Sequence, residues 1–322
     1  MTTCADTRKK SFLRDVVGQF LVELGERDKR VVVVNADLMG TSRNKTFVER
    51  FPQRSFNVGI AEQNMISFSA GLAYEGFIPY ANSMAPFITM RACEQCRTDV
   101  AYGKLNVRLL GTYAGVSGGI SGATHWAIED CGIMTSIPGM AILEPCDAVQ
   151  AKKMLLASLD YVGPIYMRIS VEPQLDLYDD NYQFSIGKAT LVKGGEDGAF
   201  ICSGVTVQYA LIAAERLKEL TGRQVRVIDM HTIKPIDIDA IISAAQTGRI
   251  VVAQDHNIIG GLGSIVAMVL SSNGLVPKFK VLGVPDKFET MAHAQYLYHK
   301  FGFDADGLTM AMEELLEERK NR

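Results

Sequence analysis

The sequence has no excess of charge of one sign. Its 322 residues include 33 Lys and Arg against 36 Asp and Glu, which gives a net charge of −3. Proteins that bind nucleic acids or anionic membranes usually carry a basic surface, so this balance gives no electrostatic support for either function. The chain also lacks an apolar run near the roughly 20 residues that a membrane-spanning helix needs. We therefore expect no transmembrane segment.

The sequence also lacks the hydrophobic region of a secretory signal in its first residues, "MTTCADTRKKSFLRDVV". This favours a cytoplasmic protein, in which reduced and buried thiols are the default for the six cysteines. Cys93 and Cys96 form one CxxC, but no second pair of ligands stands at zinc spacing. We predict that both cysteines pack within a helix and that the chain supplies no metal site of its own.

Apolar, strand-like runs alternate with segments of helical periodicity along the chain. This alternation predicts βαβ units, and therefore an α/β protein whose mostly parallel sheets are flanked by helices. The predicted strands are residues 30–37, 56–59, 77–83, 106–113, 140–145, 163–170, 199–205, 224–230, 249–255 and 278–284. The predicted helices include residues 86–103, 147–160, 206–221 and 307–322.

A polar and acidic stretch interrupts this alternation near the middle of the chain. It reads "VEPQLDLYDDNYQFSIG", contains Pro173, and has the composition of an interdomain linker. We therefore predict a first domain over residues 1–172, a linker over 173–187 and a second domain over 188–322.

Glu62 stands out within "FNVGIAEQNMISFSAGLAYEG", residues 56–76. It opens an apolar helical segment, where a buried carboxylate needs a partner. One interpretation is a solvent-exposed acid favoured by the positive end of the helix dipole. The other is an acid that faces a ligand in a buried site. Position alone leaves both open.

The segment "FNVGIAEQNM" and the later "SGATH" closely resemble signatures of the transketolase and deoxyxylulose-phosphate synthase families. The resemblance extends over nearly the whole chain. It implies a pyrimidine-binding domain of the thiamine-diphosphate-binding fold, followed by a transketolase C-terminal-like domain. It also implies that Glu62 contacts N1′ of the aminopyrimidine of thiamine diphosphate. There the carboxyl group would stabilise the imino tautomer that takes the proton from C2 of the thiazolium.

Further site residues follow from the same resemblance. Phe87, in "ANSMAPFITMRACEQC", takes the place of an aromatic that stacks on the pyrimidine, and Met84 and Met90 would line the cofactor beside it. His125, at the end of the glycine-rich "AGVSGGISGATHW", matches a histidine that contacts substrate near the reacting carbonyl. Glu62 and His125 are thus the predicted catalytic residues. A core role for Phe87 and a structural role for His125 are the alternatives.

Several positions depart from the pattern of relatives that act on sugar phosphates. Ser121 stands where an Asp is usual, Tyr113 where transketolases have a His, and Val171 where a second Arg is common. Arg168 and Arg43 remain as candidate contacts for an anionic substrate group, and Ser121 and Tyr113 as contacts for the rest of the sugar. These departures indicate an unusual donor sugar.

Two histidines and a glycine cluster of the second domain have no expected catalytic role. His231 and His256 lie at the ends of predicted strands and are expected in the core or at an interface. The glycines of "DHNIIGGLGSIVAMVL", residues 255–270, predict a tight turn into a helix.

The chain lacks the GDG motif through which the family binds Mg²⁺ and the diphosphate. The resemblance therefore implies thiamine diphosphate and Mg²⁺ as cofactors, with the metal ligands on an N-terminal partner subunit that carries GDG. A homodimer of this chain within a heterotetramer is the expected assembly.

The favoured function is the C-terminal subunit of a split transketolase, which transfers a two-carbon ketol unit from a ketose to an aldose. The alternatives are the β subunit of a 2-oxoacid decarboxylating dehydrogenase, a synthase that joins pyruvate to an aldehyde, and a subunit without catalytic activity. The Thr-His pair of "SGATH" favours ketol transfer.

Overall fold

The computed structural model describes residues 8–317, which form two mostly parallel sheets flanked by helices. This confirms the α/β class and the two-domain organisation. The strands are β1 (Lys10–Phe12), β2 (Val31–Asn35), β3 (Ser55–Asn57), β4 (Ile78–Met84), β5 (Arg108–Thr112), β6 (Ala141–Leu143), β7 (Ile165–Ile169), β8 (Pro173–Leu175), β9 (Thr190–Lys193), β10 (Gly198–Cys202), β11 (Val225–Asp229), β12 (Thr232–Lys234), β13 (Arg249–Asn257) and β14 (Lys278–Val284).

The helices cover both faces of the sheets. They are α1 (Leu13–Arg27), α2 (Lys45–Arg50), α3 (Glu62–Tyr74), α4 (Cys93–Gln95), α5 (Asp130–Thr135), α6 (Ala148–Ser158), α7 (Thr206–Thr221), α8 (Ile238–Ala245), α9 (Leu262–Ser272), α10 (Ala294–Phe301) and α11 (Ala305–Leu316). The end of the predicted helix 307–322 lies outside the described residues. Between residues 8 and 317, no helix is both long and apolar enough to cross a bilayer.

The first sheet has seven strands in the order β12-β6-β7-β5-β4-β2-β3, and all pair in parallel except β12. β2 and β4 are buried along their whole length, as expected for strands covered on both faces. The chain passes from β2 to β3 on one side and then to β4 on the other. Such a reversal leaves a crevice at the carboxyl ends of the strands, the usual ligand position in open α/β sheets.

The second sheet has the order β14-β13-β10-β11-β9, with β9 antiparallel to its neighbour. One strand of the second half of the chain joins the sheet of the first domain. β12 belongs to the second half of the chain but pairs with β6 at the edge of the first sheet. The segment predicted as a linker is ordered, because β8 pairs with β1 and the Asp147 carboxylate accepts from the backbone N–H groups of Leu177 and Tyr178.

The segment predicted as one helix over residues 86–103 is irregular. Two π-helical turns, Phe87–Arg91 and Cys96–Ala101, flank the single turn of α4. Turns of this kind are rare and often occur at functional sites. Cys96 is buried and Cys93 packs partly buried against the same core, which confirms their predicted packing. Burial raises the pKa of the Cys96 thiol, as expected for an unreactive core cysteine.

One buried arginine joins the two domains. Arg168, at the end of β7, has no exposed surface, and its guanidinium donates to the two carboxylate oxygens of Asp130 at 2.6 and 3.0 Å. It also donates to a carboxylate oxygen of Glu144 and to the backbone carbonyls of Ala127 and Asp255. A buried charge needs this degree of pairing to be tolerated. Because Asp255 belongs to β13, the guanidinium holds residues of both domains.

The other polar residues of this interface complete the network. Glu144 also accepts hydrogen bonds from Ser203 at 2.7 Å and from Gln254 at 2.8 Å, both in the second domain. His231 and His256 are buried, as expected, and desolvation lowers the pKa of each. Gly260, with φ of 81°, packs against Gly132, since a Cβ atom there would lie 3.2 Å from the Gly132 Cα. The predicted glycine turn therefore lies at the contact between the domains.

Asp255 is a buried carboxylate of this interface whose charge is poorly compensated. Its Oδ1 accepts from the backbone N–H of Val116 at 2.8 Å. Burial nevertheless raises the pKa of Asp255 to about 7 from an ordinary value of 3.8, because desolvation outweighs this hydrogen bond and the charge of Arg168. The folded chain thus holds a proton that the unfolded chain has lost, and stability falls as the pH rises from about 4 to 7.

We predict that Asp255→Asn removes this loss of stability at higher pH, because Asn mimics the protonated carboxyl group and does not titrate. The free energy of unfolding of the variant minus that of the wild type should be roughly 1–3 kcal/mol larger at pH 8 than at pH 5. Urea unfolding at the two pH values measures the difference. The control is Asp239→Asn, an exposed position on α8, for which we expect a difference that does not change with pH. A pH-independent difference for Asp255→Asn would contradict the prediction.

Candidate functional site

Glu62 is the first residue of α3 and follows the short strand β3 after a loop of four residues, 58–61. Its side chain is 1% exposed, because the helix turns this face, with Met65 and Ile66, toward the core. The carboxylate accepts a hydrogen bond from Arg91 Nη1 to Oε2 at 2.7 Å and from Ser83 Oγ to Oε1 at 3.3 Å. The interpretation of Glu62 as a solvent-exposed helix-start residue is therefore wrong, because the carboxylate is buried and paired with Arg91 and Ser83.

A chain of contacts links this carboxylate through Arg91 to Phe87, and through Phe87 to His125. The Arg91 guanidinium carbon lies 4.3 Å from the centre of the Phe87 ring, in a cation–π contact. The Phe87 and His125 rings meet edge to face, with centres 5.5 Å apart. Three of the predicted residues, which are distant in the sequence, thus form one cluster at the carboxyl ends of β3, β4 and β5.

The loop that carries His125 is held by the domain interface. Gly115 and Ala127 pair through their backbones, and Arg168 donates to the Ala127 carbonyl. The backbone N–H of Val116 donates to the Asp255 carboxylate. Inside the loop, the indole N–H of Trp126 donates to the Gly119 carbonyl at 3.0 Å. These contacts fix both ends of the loop and so place its histidine.

The His125 ring has one hydrogen-bond partner of its own in the loop. Its Nδ1 lies 2.9 Å from the hydroxyl of Thr124, and the side chain is partly exposed. This contact sets the orientation of the ring while Nε2 remains available to a substrate oxygen. The two residues of the Thr-His pair noted in the sequence, Thr124 and His125, are thus in direct contact.

Four further predicted residues lie on the strand ends, the π-helical turn and the loop that also carry the cluster. Met84 ends β4 and is buried, and Tyr113 lies one residue beyond the Thr112 that pairs with it. Tyr113 has φ of 63° and its ring packs against Gly118, where a Cβ atom would approach it to 2.5 Å. Met90 is 44% exposed. Ser121 is exposed at the end of a short 3₁₀ turn.

Arg43 lies in the loop after β2 and is half exposed. Its guanidinium forms an ion pair with Asp15 of α1 at 2.9 Å, rather than with the Glu62 cluster. The side chain lines an open groove of about 330 Å³ that also contains Lys45 and Gln19. Arg43 thus remains a candidate for an anionic substrate group that reaches this groove.

The prediction that Arg168 contacts a substrate anion is wrong. The side chain has no exposed surface, and its guanidinium is occupied by Asp130, Glu144 and two backbone carbonyls. It therefore acts on the site indirectly, by holding the loop that carries His125.

Arg91 and Ser83 are site residues that the sequence interpretation missed. The cysteines are the conspicuous feature of "MRACEQC", although its arginine follows Phe87 by four residues. Within the π-helical turn Phe87–Arg91, this spacing places the guanidinium over the ring. The signal for Arg91 was Glu62 itself, because a buried carboxylate with no cation in its own segment needs a partner from another segment.

The cluster suits one face of a flat heteroaromatic ring. It offers a buried carboxylate as hydrogen-bond acceptor, a partly exposed aromatic face and a neighbouring thioether side chain at Met84. Apolar residues close in sequence to the cluster are exposed: Ile60, two residues before Glu62, at 78%, and Ile120, in the loop that carries His125, at 64%. Exposed apolar groups around a polar centre are typical of a surface that another protein covers. The residues present therefore fit the pyrimidine half of a cofactor site.

Comparisons with known proteins agree with this geometry. Residues 9–172 match the family described as transketolase, pyrimidine binding domain, and residues 187–308 match transketolase, C-terminal domain. A 6-deoxy-6-sulfo-D-fructose transketolase subunit from Clostridium sp. strain MSTE9 is 39% identical, over 97% of each chain. An apulose-4-phosphate transketolase subunit from Phocaeicola vulgatus is 37% identical, over 92% of this chain and 95% of its own.

A solved structure shares the fold along the whole chain. It is described as "Split gene transketolase, inactive beta4 tetramer", is 35% identical, covers 96% of this chain and 99% of its own, and has a TM-score of 0.85. The chain therefore belongs to the transketolase family, whose pyrimidine-binding and C-terminal domains it carries, and this membership implies dependence on thiamine diphosphate.

Proposed function

We propose that this chain is the C-terminal subunit of a split transketolase that transfers a two-carbon ketol unit from a ketose to an aldose. The observation that carries the proposal is the cluster of Glu62, Phe87 and His125 in a chain without a GDG motif. A partner chain would supply the GDG motif, the Mg²⁺ ligands and the diphosphate site. The names of the two relatives above, both transketolase subunits, support this division.

Each residue of the cluster has a defined task in this proposal. When bound, thiamine diphosphate would supply a nucleophilic carbon and a ring that accepts electron density during ketol transfer. Glu62 would hold the ring nitrogen N1′ through a hydrogen bond, which its burial strengthens and orients. Phe87 would support the ring by stacking, and Met84 would fill the space beside it.

His125 would act on the substrate. Its Nε2 would contact a hydroxyl or oxyanion near the reacting carbonyl, while the Thr124 hydroxyl holds Nδ1. The loop contacts to Ala127 and Val116 keep this ring in place without occupying it. Positioning of this kind contributes to catalysis because misplaced groups react slowly.

We predict that this chain alone forms a homodimer without transketolase activity, and that it becomes active when mixed with a GDG-bearing partner, thiamine diphosphate and Mg²⁺. The exposed Ile60 and Ile120, which lie close in sequence to Glu62 and His125, support a surface that a second chain covers. Light scattering of each chain and of the mixture gives the stoichiometry, for which two copies of each chain are expected. Full activity of this chain without a partner would refute the split arrangement. Production of a 2-oxoacid decarboxylation product, or of a pyruvate–aldehyde adduct, would favour the alternative functions.

We predict that Glu62→Gln lowers kcat of the reconstituted enzyme by at least about 10²-fold, because the amide keeps the shape but cannot share an acid proton with N1′. Assembly and folding should be retained. Glu75→Gln, at the exposed end of the same helix, is the matched control and should leave kcat unchanged. The assignment fails if Glu62→Gln turns over at a near-normal rate in saturating thiamine diphosphate.

We predict that an unusual ketose is a better donor than xylulose 5-phosphate, because Ser121, Tyr113 and Val171 cannot provide the charged contacts usual for a phosphorylated sugar. A 6-deoxy-6-sulfo-fructose, the substrate class in the name of one relative, is a suitable first comparison. The measurement is kcat/KM for each donor with the reconstituted enzyme. Preference for xylulose 5-phosphate over every alternative would show that these substitutions do not select the substrate.

A paired variant tests the same pocket in the opposite direction. Ser121→Asp with Tyr113→His restores the residues usual in relatives, and His tolerates the positive φ of position 113 better than most residues. The double variant should shift the kcat/KM ratio toward xylulose 5-phosphate.

A further inference from the structure

We propose that Arg91 occupies the contacts of the aminopyrimidine ring in the cofactor-free chain and must leave them before the cofactor binds. This inference rests on the proposed function, since it concerns the same carboxylate and the same aromatic ring. Arg91 is not among the residues that the family resemblance assigns to the cofactor.

The two contacts of Arg91 are of the kind that the cofactor ring needs. Its guanidinium is flat, donates an N–H to Glu62 Oε2 at 2.7 Å, and lies over the Phe87 ring with its carbon 4.3 Å from the ring centre. A protonated or imino pyrimidine would likewise hydrogen-bond to the carboxylate and stack on the phenyl ring. A pyrimidine that approached the same Glu62 oxygen from the same side of the Phe87 ring would compete with the guanidinium for both contacts.

Two further contacts limit the room that remains at these two residues. Glu62 Oε1 accepts from Ser83 at 3.3 Å, and His125 meets Phe87 edge to face at 5.5 Å. A ring that binds Glu62 and Phe87 together therefore competes with the guanidinium rather than binding beside it.

Arg91 is placed to move, whereas Glu62 is not. The Arg91 side chain is 48% exposed, while that of Glu62 is 1% exposed and fixed at the start of α3. The guanidinium can thus swing into solvent. Without the cofactor, the arginine keeps the buried carboxylate from being an uncompensated charge, which would be strongly destabilising.

This competition predicts two opposite effects of removing the guanidinium. Without its partner, the cofactor-free chain should lose stability. The site should meanwhile gain affinity for the cofactor, because the population competent to bind is no longer reduced by the Arg91–Glu62 pair.

The experiment measures thiamine diphosphate binding to the reconstituted complex at fixed Mg²⁺, by equilibrium dialysis and by stopped-flow quenching of protein fluorescence. Arg91→Gln should bind roughly 3- to 30-fold more tightly than the wild type, mainly through faster association. Arg91→Lys, which keeps the charge but not the flat stacking group, should fall between them. Arg97→Gln, an exposed arginine of the next π-helical turn, is the matched control and should not change Kd.

Thermal unfolding of the cofactor-free chain provides a second readout. The melting temperature of Arg91→Gln should be lower than that of the wild type and of Arg97→Gln. Rising salt should also narrow the difference in Kd between the wild type and Arg91→Gln, because it screens a half-exposed ion pair.

Unchanged or weaker binding by Arg91→Gln overturns the inference and makes Arg91 a residue that positions Glu62 in the loaded enzyme. That result leaves the proposed function intact, provided that the wild-type complex binds thiamine diphosphate and transfers a ketol unit. A wild-type complex that binds no thiamine diphosphate overturns both.

Discussion

The buried guanidinium of Arg168 is the interaction on which the arrangement of the two domains depends. It carries a full charge with no access to water, so it requires the two carboxylates and two carbonyls that surround it. Two of these partners, Asp130 and Glu144, come from the first domain, and the Asp255 carbonyl comes from the second. The hydrogen bond from Arg168 to this carbonyl, and those from Ser203 and Gln254 of the second domain to Glu144, complete the solvation of the buried charges. Because these bonds cross between the domains, they couple the two domains more specifically than apolar packing alone would.

The same guanidinium connects the domain interface to the site. Its hydrogen bond to the Ala127 carbonyl, together with that from Val116 to Asp255, fixes the two ends of the glycine-rich loop. The loop is rich in glycine, which allows its tight path but gives it little rigidity of its own. Contacts with the second domain therefore hold the loop in place. The position of His125 thus depends on a domain that contributes none of the residues Glu62, Arg91, Phe87 and His125.

Arg168 and Arg91 show how burial changes the role of one residue type. Both pair with a buried carboxylate. Arg168 is enclosed by fixed partners and cannot respond to a ligand, whereas Arg91 stands at an open surface and can exchange its contacts. The first arginine is part of the framework. The second holds a charge in place at a site where, in the proposed enzyme, another group would bind.

The sequence by itself determined the α/β class and the positions of most strands, and it selected Glu62, Phe87 and His125 as candidate site residues. It could do so because alternating apolar runs specify buried parallel strands, and because a short motif with fixed spacing marks a chemistry that requires particular side chains. The segment 86–103 also reads as helical, but its π-helical turns and the resulting stacking of Arg91 on Phe87 do not follow from its periodicity.

Only the tertiary structure decided the roles of the arginines and of the segment predicted as a linker. Arg168 looks like an anion ligand in the sequence because its partners are distant in the chain, from residue 127 to residue 255. The segment 173–187 looks unstructured because its strand is completed by β1, which lies more than 160 residues earlier. Such pairings depend on which buried charges and unpaired backbone groups the fold brings together, and local sequence carries no record of that proximity.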